Sequence, residues 1–419
     1  MRNVGFVRRV KDVVLYVFYF IVLFGFMFEV PMPMGLTSRR LALVVAIITL
    51  VFKRDSLHEI YKCLNKRKLN RFIISFIIII LLSILQTLSG SQNIVGEYVS
   101  IIEPWYYVYM IGYILVFSLY CVVVFDSVKQ YSTIIIGILL LQSAIVIYAI
   151  SNPTFRMLIY EFGNLNEGKM ERTIENGTRV VGFLMGGADG SVIMSISCIL
   201  LLLLRRNNQI NRVVFYILYV FFIIITAFVG RTGILVEGAL LIYDSLSGKN
   251  KIRNLAGLFV SAVLAVVILT SVLNNASEID SEHYLEWMTE FLDKDSRESI
   301  NQGVIQEGFP PLNSDLIFGT GLASGYSYGG KSYYSDSGYV RAYTSIGIVG
   351  MILYYWGLLN LLKSPSFKRK ECFFTLLIII AFVIEYKEPF MMKYVFPWAV
   401  LTCFLLSVKD KRRIMVMQS

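Results

Sequence analysis

Val213-Val-Phe-Tyr-Ile-Leu-Tyr-Val-Phe-Phe-Ile-Ile-Ile-Thr-Ala-Phe-Val-Gly230 contains no charged residue, and this stretch indicates the fold class. A helix of about 20 predominantly apolar residues is long enough to cross the hydrocarbon core of a bilayer. The stretch ends in the turn Gly230-Arg231-Thr232-Gly233, and a second apolar run, 232–246, follows at once. The two runs predict two consecutive membrane-spanning helices.

Similar runs recur along the whole chain, which has 419 residues, 56% of them hydrophobic. Eight further runs are about as long as the first: 13–30, 72–89, 105–125, 132–150, 181–204, 255–273, 338–362 and 372–386. Three shorter or interrupted runs are also too apolar to leave in water: 36–52, 232–246 and 391–408. The sequence therefore predicts an all-α polytopic integral membrane protein with about 12 transmembrane helices.

This pattern divides the chain into three predicted domains. Residues 1–273 hold transmembrane helices 1–9, residues 274–337 form one large outer loop, and residues 338–419 hold transmembrane helices 10–12 and a cytoplasmic tail. If the amino terminus is cytoplasmic, about two thirds of the 39 Lys and Arg residues fall on the cytoplasmic side, where basic residues accumulate. Both termini are therefore predicted to be cytoplasmic.

The net charge of +10 is explained by these topology signals and their contact with anionic membrane lipid. No nucleic-acid partner is expected. Since no cysteine falls in an outer loop, we expect neither a disulfide nor a thiolate metal site there. The remaining metal-ligand candidates on the outer side are Asp293, Asp295 and the lone His283, too few to predict a metal site.

Several arginines lie on the predicted outer side, against the usual distribution of basic residues: Arg156, Arg172, Arg179, Arg231, Arg297 and Arg341. Arginine close to hydrocarbon is costly and needs an anionic partner. A guanidinium matches a phosphate or pyrophosphate group well. The alternative is that these arginines reach lipid phosphates or pair with nearby carboxylates. For Arg231, the carboxylate would be Glu237, deeper in the same span.

Gly182, Gly186 and Gly190 are spaced four residues apart and predict one smooth stripe on a helix. Such a stripe allows a lipid chain or a neighbouring backbone to approach closely, and ordinary helix packing is the alternative. Asp189 lies in the same run, where a carboxylate is expected to face a partner or water.

The polar interval 274–337 is rich in tyrosine and closes with Ser335-Asp336-Ser337-Gly338-Tyr339-Val340-Arg341. Aromatic faces stack on sugar rings and tyrosine hydroxyls can bind their edges. The predicted sugar-binding residues are Tyr326, Tyr328, Tyr333, Tyr334 and Tyr339. For Tyr339, the aromatic belt at a membrane surface is an equal explanation.

Four short motifs follow one another between about residues 175 and 360. They are Arg179-x-x-Gly182, Gly230-Arg231-Thr232-Gly233, Phe318-Gly319-Thr320-Gly321, and Asp336-Ser-Gly-Tyr339-x-Arg341 with Ile346-Gly347-Ile348-Val349-Gly350. In this order and placement the chain resembles the O-antigen polymerase and ligase superfamily of membrane glycosyltransferases.

The resemblance implies a fold of the GT-C glycosyltransferase type. It also implies an active site at the outer, periplasmic face of a bacterial inner membrane. The partners would be a donor and an acceptor oligosaccharide, both linked to undecaprenyl pyrophosphate. The resemblance allows a chain-length regulator and a flippase as further partners. Because the pyrophosphate is already a leaving group, neither a nucleotide sugar nor a cofactor is expected.

Ligases of the superfamily usually carry a His-Asn pair where this chain has Asp336 and Ser337, so the resemblance favours a polymerase of polysaccharide repeat units. Arg179, Arg231 and Arg341 are expected to neutralise the pyrophosphate, and Arg172, Arg297, Gly182 and Gly186 to contact substrate. Asp336 is the expected general base, with a helix cap before residue 338 as the alternative. An O-antigen ligase and a lipid-linked glycan flippase or other secondary transporter remain the rival functions.

Overall fold

A computed structural model describes residues 2–63, 66–89, 103–162, 180, 182–183, 188–247, 251–275, 284, 309–321, 326–328, 331–333, 337–362, 371–386, 390–391 and 394–418. Within these ranges the chain is almost entirely helical. The exception is one short hairpin, in which β1 (Tyr326–Tyr328) pairs antiparallel with β2 (Lys331–Tyr333). The chain divides into two compact units, the first made of Met1–Val51 and Phe125–Thr289 and the second of Phe52–Val124 and Glu290–Ser419.

The first unit contains the helices α1 (Arg2–Phe28), α2 (Ser38–Phe52), α6 (Val128–Ser151), α7 (Pro153–Phe162), α8 (Ala188–Arg206), α9 (Arg212–Val229), α10 (Arg231–Ser247) and α11 (Lys251–Asn275). It is built around α8, α9 and α10, which pack on one another, with α11 against α9 and α10 and α6 against α8. Side-chain caps fix two of the starts, since Ser127 accepts from Gln130 N and Asn211 accepts from Val213 N.

The second unit contains the helices α3 (Arg54–Cys63), α4 (Lys66–Ser89), α5 (Glu103–Val124), α12 (Ser314–Phe318), α13 (Gly338–Leu362), α14 (Glu371–Glu385) and α15 (Val395–Gln418). It is centred on α13, which packs along α4, while α15 packs along α5 and the short helix α12 lies on α13. The α12 start is capped by Asn313, whose side chain accepts from Leu316 N.

Every one of the twelve apolar runs contains a helix. Among the described residues, six helical segments are long and apolar enough to cross a membrane: Arg67–Gln86, Tyr107–Val124, Val128–Ser151, Arg212–Val229, Asn254–Val272 and Gly338–Leu361. Val13–Phe28 and Phe373–Glu385 are shorter apolar helices. The architecture is thus that of a helical membrane protein. Twelve crossings, the GT-C likeness, the three sequence domains and the orientation of the termini stay predictions.

Large apolar side chains on the outward sides of several helices fit this environment. Phe259, Val263 and Val267 on α11 are exposed, as are Ile47 and Val51 on α2. In water such surfaces would drive association, whereas lipid tails are as apolar as leucine and solvate them without cost.

Candidate functional site

The junction between α9 and α10 places Arg231 at the start of a helix. Gly230 is the single residue between the two helices, and its N–H donates to Thr226 O at 2.8 Å, which closes the last turn of α9. Arg231 is the first residue of α10 and is half-buried. The N-terminus of a helix carries a partial positive charge, so the guanidinium and the helix end favour the same anionic ligand.

Two further segments are attached to the carbonyls at the end of α9. The N–H of Val180 donates to Phe228 O at 2.9 Å, and the hydroxyl of Tyr284 donates to Ala227 O at 2.7 Å. Both acceptors lie within four residues of Arg231. The first and second motifs therefore meet, because Val180 directly follows Arg179 in the sequence.

Tyr284 is an anchor that the sequence analysis did not single out. It comes from the polar interval, yet it is 1% exposed and its ring packs on that of Phe228. Burial raises the pKa of its hydroxyl well above the ordinary tyrosine value, so the group stays protonated and keeps donating. The abundance of tyrosines in the interval was visible in the sequence, but nothing marked this one as buried.

The predicted helical glycine stripe is wrong at its first position. Gly182 lies in a bend before α8, which begins only at Ala188. The neighbouring Phe183 N–H donates to the side-chain oxygen of buried Gln142 on α6 at 3.2 Å, which ties this bend to α6. Gly182 still permits a close approach, because a Cβ there would come within 3.0 Å of the Gln142 amide.

A close contact between α8 and α10 lies just below Arg231. Gly233 N–H donates to the Ser191 hydroxyl at 3.0 Å, and a Cβ on Gly233 would lie less than 3.0 Å from the Ser191 carbonyl oxygen. Gly233 of the second motif is thus needed for the packing of α10 against α8. It holds the first turn of α10 against α8 and so fixes where Arg231 emerges.

Glu237, deeper on α10, does not pair with Arg231. It is fully buried, and its Oε1 accepts from the Thr226 hydroxyl at 2.8 Å. Its backbone oxygen accepts from Tyr219 at 2.7 Å. Among the described residues no cationic side chain lies within ion-pair distance of this carboxyl group, so the predicted alternative of a simple Arg231–Glu237 pair is wrong.

In the second unit, α13 is broken at Gly347. This residue has φ of +72°, and Gly319 in the third motif has φ of +88°, both in the left-handed region that favours glycine. The two glycines face one another, since a Cβ on either would lie less than 3.0 Å from the other's backbone. The third motif is therefore inserted at the break in the fourth.

The insertion supplies the hydrogen bonds that the broken helix lacks. Thr320 N–H donates to Thr344 O at 2.8 Å and Gly321 N–H donates to Ser345 O at 3.0 Å. The Gln86 side chain, from α4, donates to Ser345 O at 3.0 Å and also to the carbonyl oxygen of Phe318. Unpaired carbonyls inside a membrane protein are costly, so these bonds stabilise the break.

Arg341 lies on the short helical segment that precedes the break and is half-buried there. This segment is also held at its start. The Ser337 hydroxyl donates to Glu385 O at 3.5 Å, and the Tyr339 hydroxyl donates to Phe382 O at 2.7 Å. The Tyr339 hydroxyl, which was predicted to bind sugar, therefore donates its hydrogen bond to the backbone of α14.

Glu385 is a second anchor that the sequence analysis did not single out. It is 0% exposed, its Oε1 accepts from the Tyr355 hydroxyl at 2.6 Å, and its Oε2 accepts from the Met391 N–H. It ties the end of α14 to α13 and to the segment that leads into α15. An acidic residue at the end of the apolar run 372–386 was the available signal.

The predicted sugar-binding tyrosines are only partly described. Tyr326 and Tyr328 lie on β1 and Tyr333 on β2, with Tyr326 paired to Tyr333. Tyr333 packs against a small apolar cluster on α12 and α13 that is centred on Leu316 and Tyr343, so at least part of its ring is used in packing. Arg172, Arg179, Gly186, Arg297, Tyr334 and Asp336 lie outside the described residues and stay predictions.

Arg231 belongs to the first unit and Arg341 to the second. In the part of the chain that the structure describes, no three His, Cys, Asp or Glu side chains are grouped as a metal site requires. No protein-family model, no curated protein and no solved structure matches this chain.

Proposed function

We propose that the protein is a membrane glycosyltransferase that polymerises polysaccharide repeat units carried on a polyprenyl pyrophosphate. The proposal is supported by the way the four motifs pair: the first contacts the second, and the third contacts the fourth. The residue after Arg179 bonds to the end of α9 beside Arg231, and Phe318–Gly321 bonds into α13 below Arg341. Each unit thus uses two distant motifs to position one arginine.

Two anion-binding groups fit the chemistry of polymerisation. The donor and the acceptor both carry a pyrophosphate, and each requires cationic and N–H donors near its charge. In the first unit these are Arg231 and the start of α10, with Arg179 next to Val180. In the second unit the group is Arg341. An O-antigen ligase, whose acceptor is a different kind of molecule, needs one such pyrophosphate site.

In the proposed reaction a sugar hydroxyl of the acceptor attacks the anomeric carbon of the donor glycan. The bond between this carbon and the pyrophosphate oxygen breaks, and polyprenyl pyrophosphate leaves with the electron pair. Asp336 takes the proton of the attacking hydroxyl. The cationic group that binds the donor's pyrophosphate stabilises the negative charge that develops on the leaving group, which is the larger contribution where water is scarce, and the other group holds the acceptor in place.

The break in α13 favours transport as a second candidate function. Gly347 is about ten residues into a segment long enough to span a membrane, and broken helices at mid-membrane form the substrate sites of many secondary transporters. In those sites the freed carbonyls bind the transported ion. Here Thr344 O and Ser345 O accept from Thr320, Gly321 and Gln86, so the break serves packing and the polymerase is the better conclusion.

To test the proposal, Arg231→Ala and Arg341→Lys are introduced separately in cells that make the polymer, and glycan chain length is measured on gels. We expect loss of the long chains and retention of single repeat units, because ligation is untouched. Lysine keeps the charge but loses the bidentate geometry. Arg54→Ala is the matched control, since Arg54 is an exposed arginine on α3. Normal ladders from normally inserted variants would refute the arginine roles.

Two further results separate the rival functions. Deleting a polymerase leaves single repeat units attached to their final acceptor, deleting a ligase leaves none, and deleting a flippase leaves the lipid-linked units on the cytoplasmic side. Asp336→Asn separates the two roles of Asp336, because asparagine caps a helix as well as aspartate but cannot accept the proton.

A further inference from the structure

Three arginines converge at the end of the first unit that lies opposite Arg231. Arg205 and Arg206 end α8, and Arg212 begins α9, with a short turn between the helices. We call these three residues the arginine cluster. Asp244, on α10, contacts the arginine cluster. It is 13 residues from Arg231, a distance of about 20 Å along the helix axis.

The carboxylate of Asp244 forms ion pairs with both Arg205 and Arg206. Arg205 Nη1 lies 2.9 Å from Asp244 Oδ2, and Arg206 Nε lies 3.4 Å from Asp244 Oδ1. Arg206 also donates to the Ser247 hydroxyl at 2.7 Å. Asp244 therefore neutralises one charge and holds two guanidinium groups side by side.

The side-chain amide of Asn254 binds two of the arginines, Arg205 and Arg212. Arg205 Nη2 and Arg212 Nη2 both donate to Asn254 Oδ1 of α11, at 3.1 and 2.8 Å. This contact brings two positive charges to the same oxygen atom. Since an amide carries no net charge, it leaves the repulsion between them in place.

An aromatic ring lies next to each of the three guanidinium groups. Arg205 lies over Phe215 at 4.5 Å, Arg206 over Tyr243 at 4.7 Å, and Arg212 over Tyr216 at 5.7 Å from the ring centre. These contacts, together with the bonds to Asp244, Ser247 and Asn254, restrict the movement of the three side chains. A site with fixed donors loses little entropy when it binds an anion.

The cluster concentrates positive charge in a partly buried place. Arg205 and Arg206 share the carboxylate of Asp244, while Arg212 bonds to the neutral amide of Asn254. Arg205 and Asp244 are mostly buried, with side-chain exposures of 15% and 9%. A phosphodiester anion would add negative charge there, together with oxygen acceptors of the right geometry. At the end of membrane-spanning helices the available phosphodiesters are the headgroups of phospholipids.

We propose that the arginine cluster is a binding site for the phosphate of an anionic phospholipid. The lipid sits at the α8–α9 turn and joins α8, α9 and α11 at the end of the unit away from Arg231. The site does not depend on the glycan chemistry, because its residues are separate from those that position Arg231 and Arg341.

The first experiment uses the full-length protein in lipid nanodiscs. The mole fraction of phosphatidylglycerol is raised against a background of phosphatidylethanolamine, and the Tm is recorded. We expect a saturable rise in Tm with phosphatidylglycerol. An unchanged Tm would overturn the proposal. So would an equal rise when inorganic phosphate is added to phosphatidylethanolamine discs, because the site would then be one for free phosphate.

The second experiment tests the residues by native mass spectrometry of lipid-bound protein. Arg212→Gln should weaken phosphatidylglycerol binding about fivefold, the factor for the ~1 kcal/mol that one basic residue contributes near an anionic surface. Arg212→Lys should retain most of it. Arg54→Gln, in the second unit, is the control and should bind as the natural sequence does. Equal phosphatidylglycerol binding by Arg212→Gln and by the control would refute the site. If Arg212→Gln does not fold, the Tm series on the natural sequence decides whether the phospholipid binds.

Discussion

Replacing Gly319 by alanine should destabilise the second unit strongly, because this glycine holds the broken helix together. Its φ of +88° is accessible to glycine and costly for alanine. The new Cβ would also lie less than 3.0 Å from the backbone at Gly347 and from the Ser345 carbonyl oxygen. Backbone atoms cannot turn aside as a side chain can, so the Phe318–Gly321 segment has to move away from α13.

The size of the effect is the sum of the backbone strain and the hydrogen bonds that break. With φ of +88° and ψ of 161°, this backbone conformation is essentially restricted to glycine and costs an alanine about 1–3 kcal/mol. Moving the segment breaks the bonds from Thr320 N to Thr344 O and from Gly321 N to Ser345 O, at about 1 kcal/mol each. We therefore expect the free energy of unfolding to fall by about 3–5 kcal/mol. Because the same segment supports the turn that carries Arg341, polymer length should also fall.

The measurement is unfolding of the purified protein in detergent, followed by temperature and by denaturant. Gly112→Ala is the matched control: Gly112 lies within α5 of the same unit, and a Cβ there would meet nothing within 4 Å. Alanine is the better helix former, so the control should be neutral or stabilised by up to about 1 kcal/mol. If Gly319→Ala unfolds like the control, the docking of the third motif into α13 is refuted.

Three other changes test the remaining contacts by the same unfolding measurement. Gly233→Ala should cost about 1–3 kcal/mol, since its Cβ would overlap the Ser191 carbonyl, whereas Gly238→Ala in the same helix meets open space and should be neutral. Tyr284→Phe should cost about 1–3 kcal/mol because Ala227 O loses its buried donor, and an unchanged stability would show that Tyr284 is not an anchor. Tyr355→Phe should cost about as much by removing the donor to Glu385, and equal unfolding midpoints would contradict that bond.

The positions of the helices could be predicted because they depend on local properties. An uncharged run of membrane length followed by Gly230 predicted α9 and its end, and the structure confirms both. The predicted turn of four residues, 230–233, is too long, because Gly230 alone separates the two helices and Arg231 already begins α10. Even the short runs at 36–52 and 232–246 contain helices, since few other conformations satisfy the backbone of so apolar a segment.

The break at Gly347 could not be predicted in the same way. The run from residue 338 to 362 is apolar throughout its middle, and an isolated glycine is tolerated in a helix. What breaks the helix is the Phe318–Gly321 segment, which comes much earlier in the chain and whose N–H groups replace those of the next turn. Hydrophobic periodicity cannot predict such a contact, although Gly319 and Gly347 both belong to motifs identified in the sequence.

The error at Gly182 has a similar origin. A spacing of four residues predicts a helical stripe only where the backbone bonds to itself. Here residues 182 and 183 form a bend, and the Val180 and Phe183 N–H groups tie this segment to Phe228 O and to the Gln142 side chain. Tyr284 was missed because burial of a polar residue depends on tertiary contacts that no local pattern contains. For Glu385, its position in the apolar run 372–386 was a signal that a buried partner exists, but not which one.

The most direct test of the central claim is polymerisation by the purified protein. The full chain is reconstituted in liposomes that contain only single repeat units linked to undecaprenyl pyrophosphate, with no nucleotide sugar, and the products are separated by size. The proposed function predicts a ladder of products that grows by whole repeat units and is lost in the Arg341→Lys variant. Repeat units that stay single with the natural sequence, or that only change their side of the membrane, would contradict it.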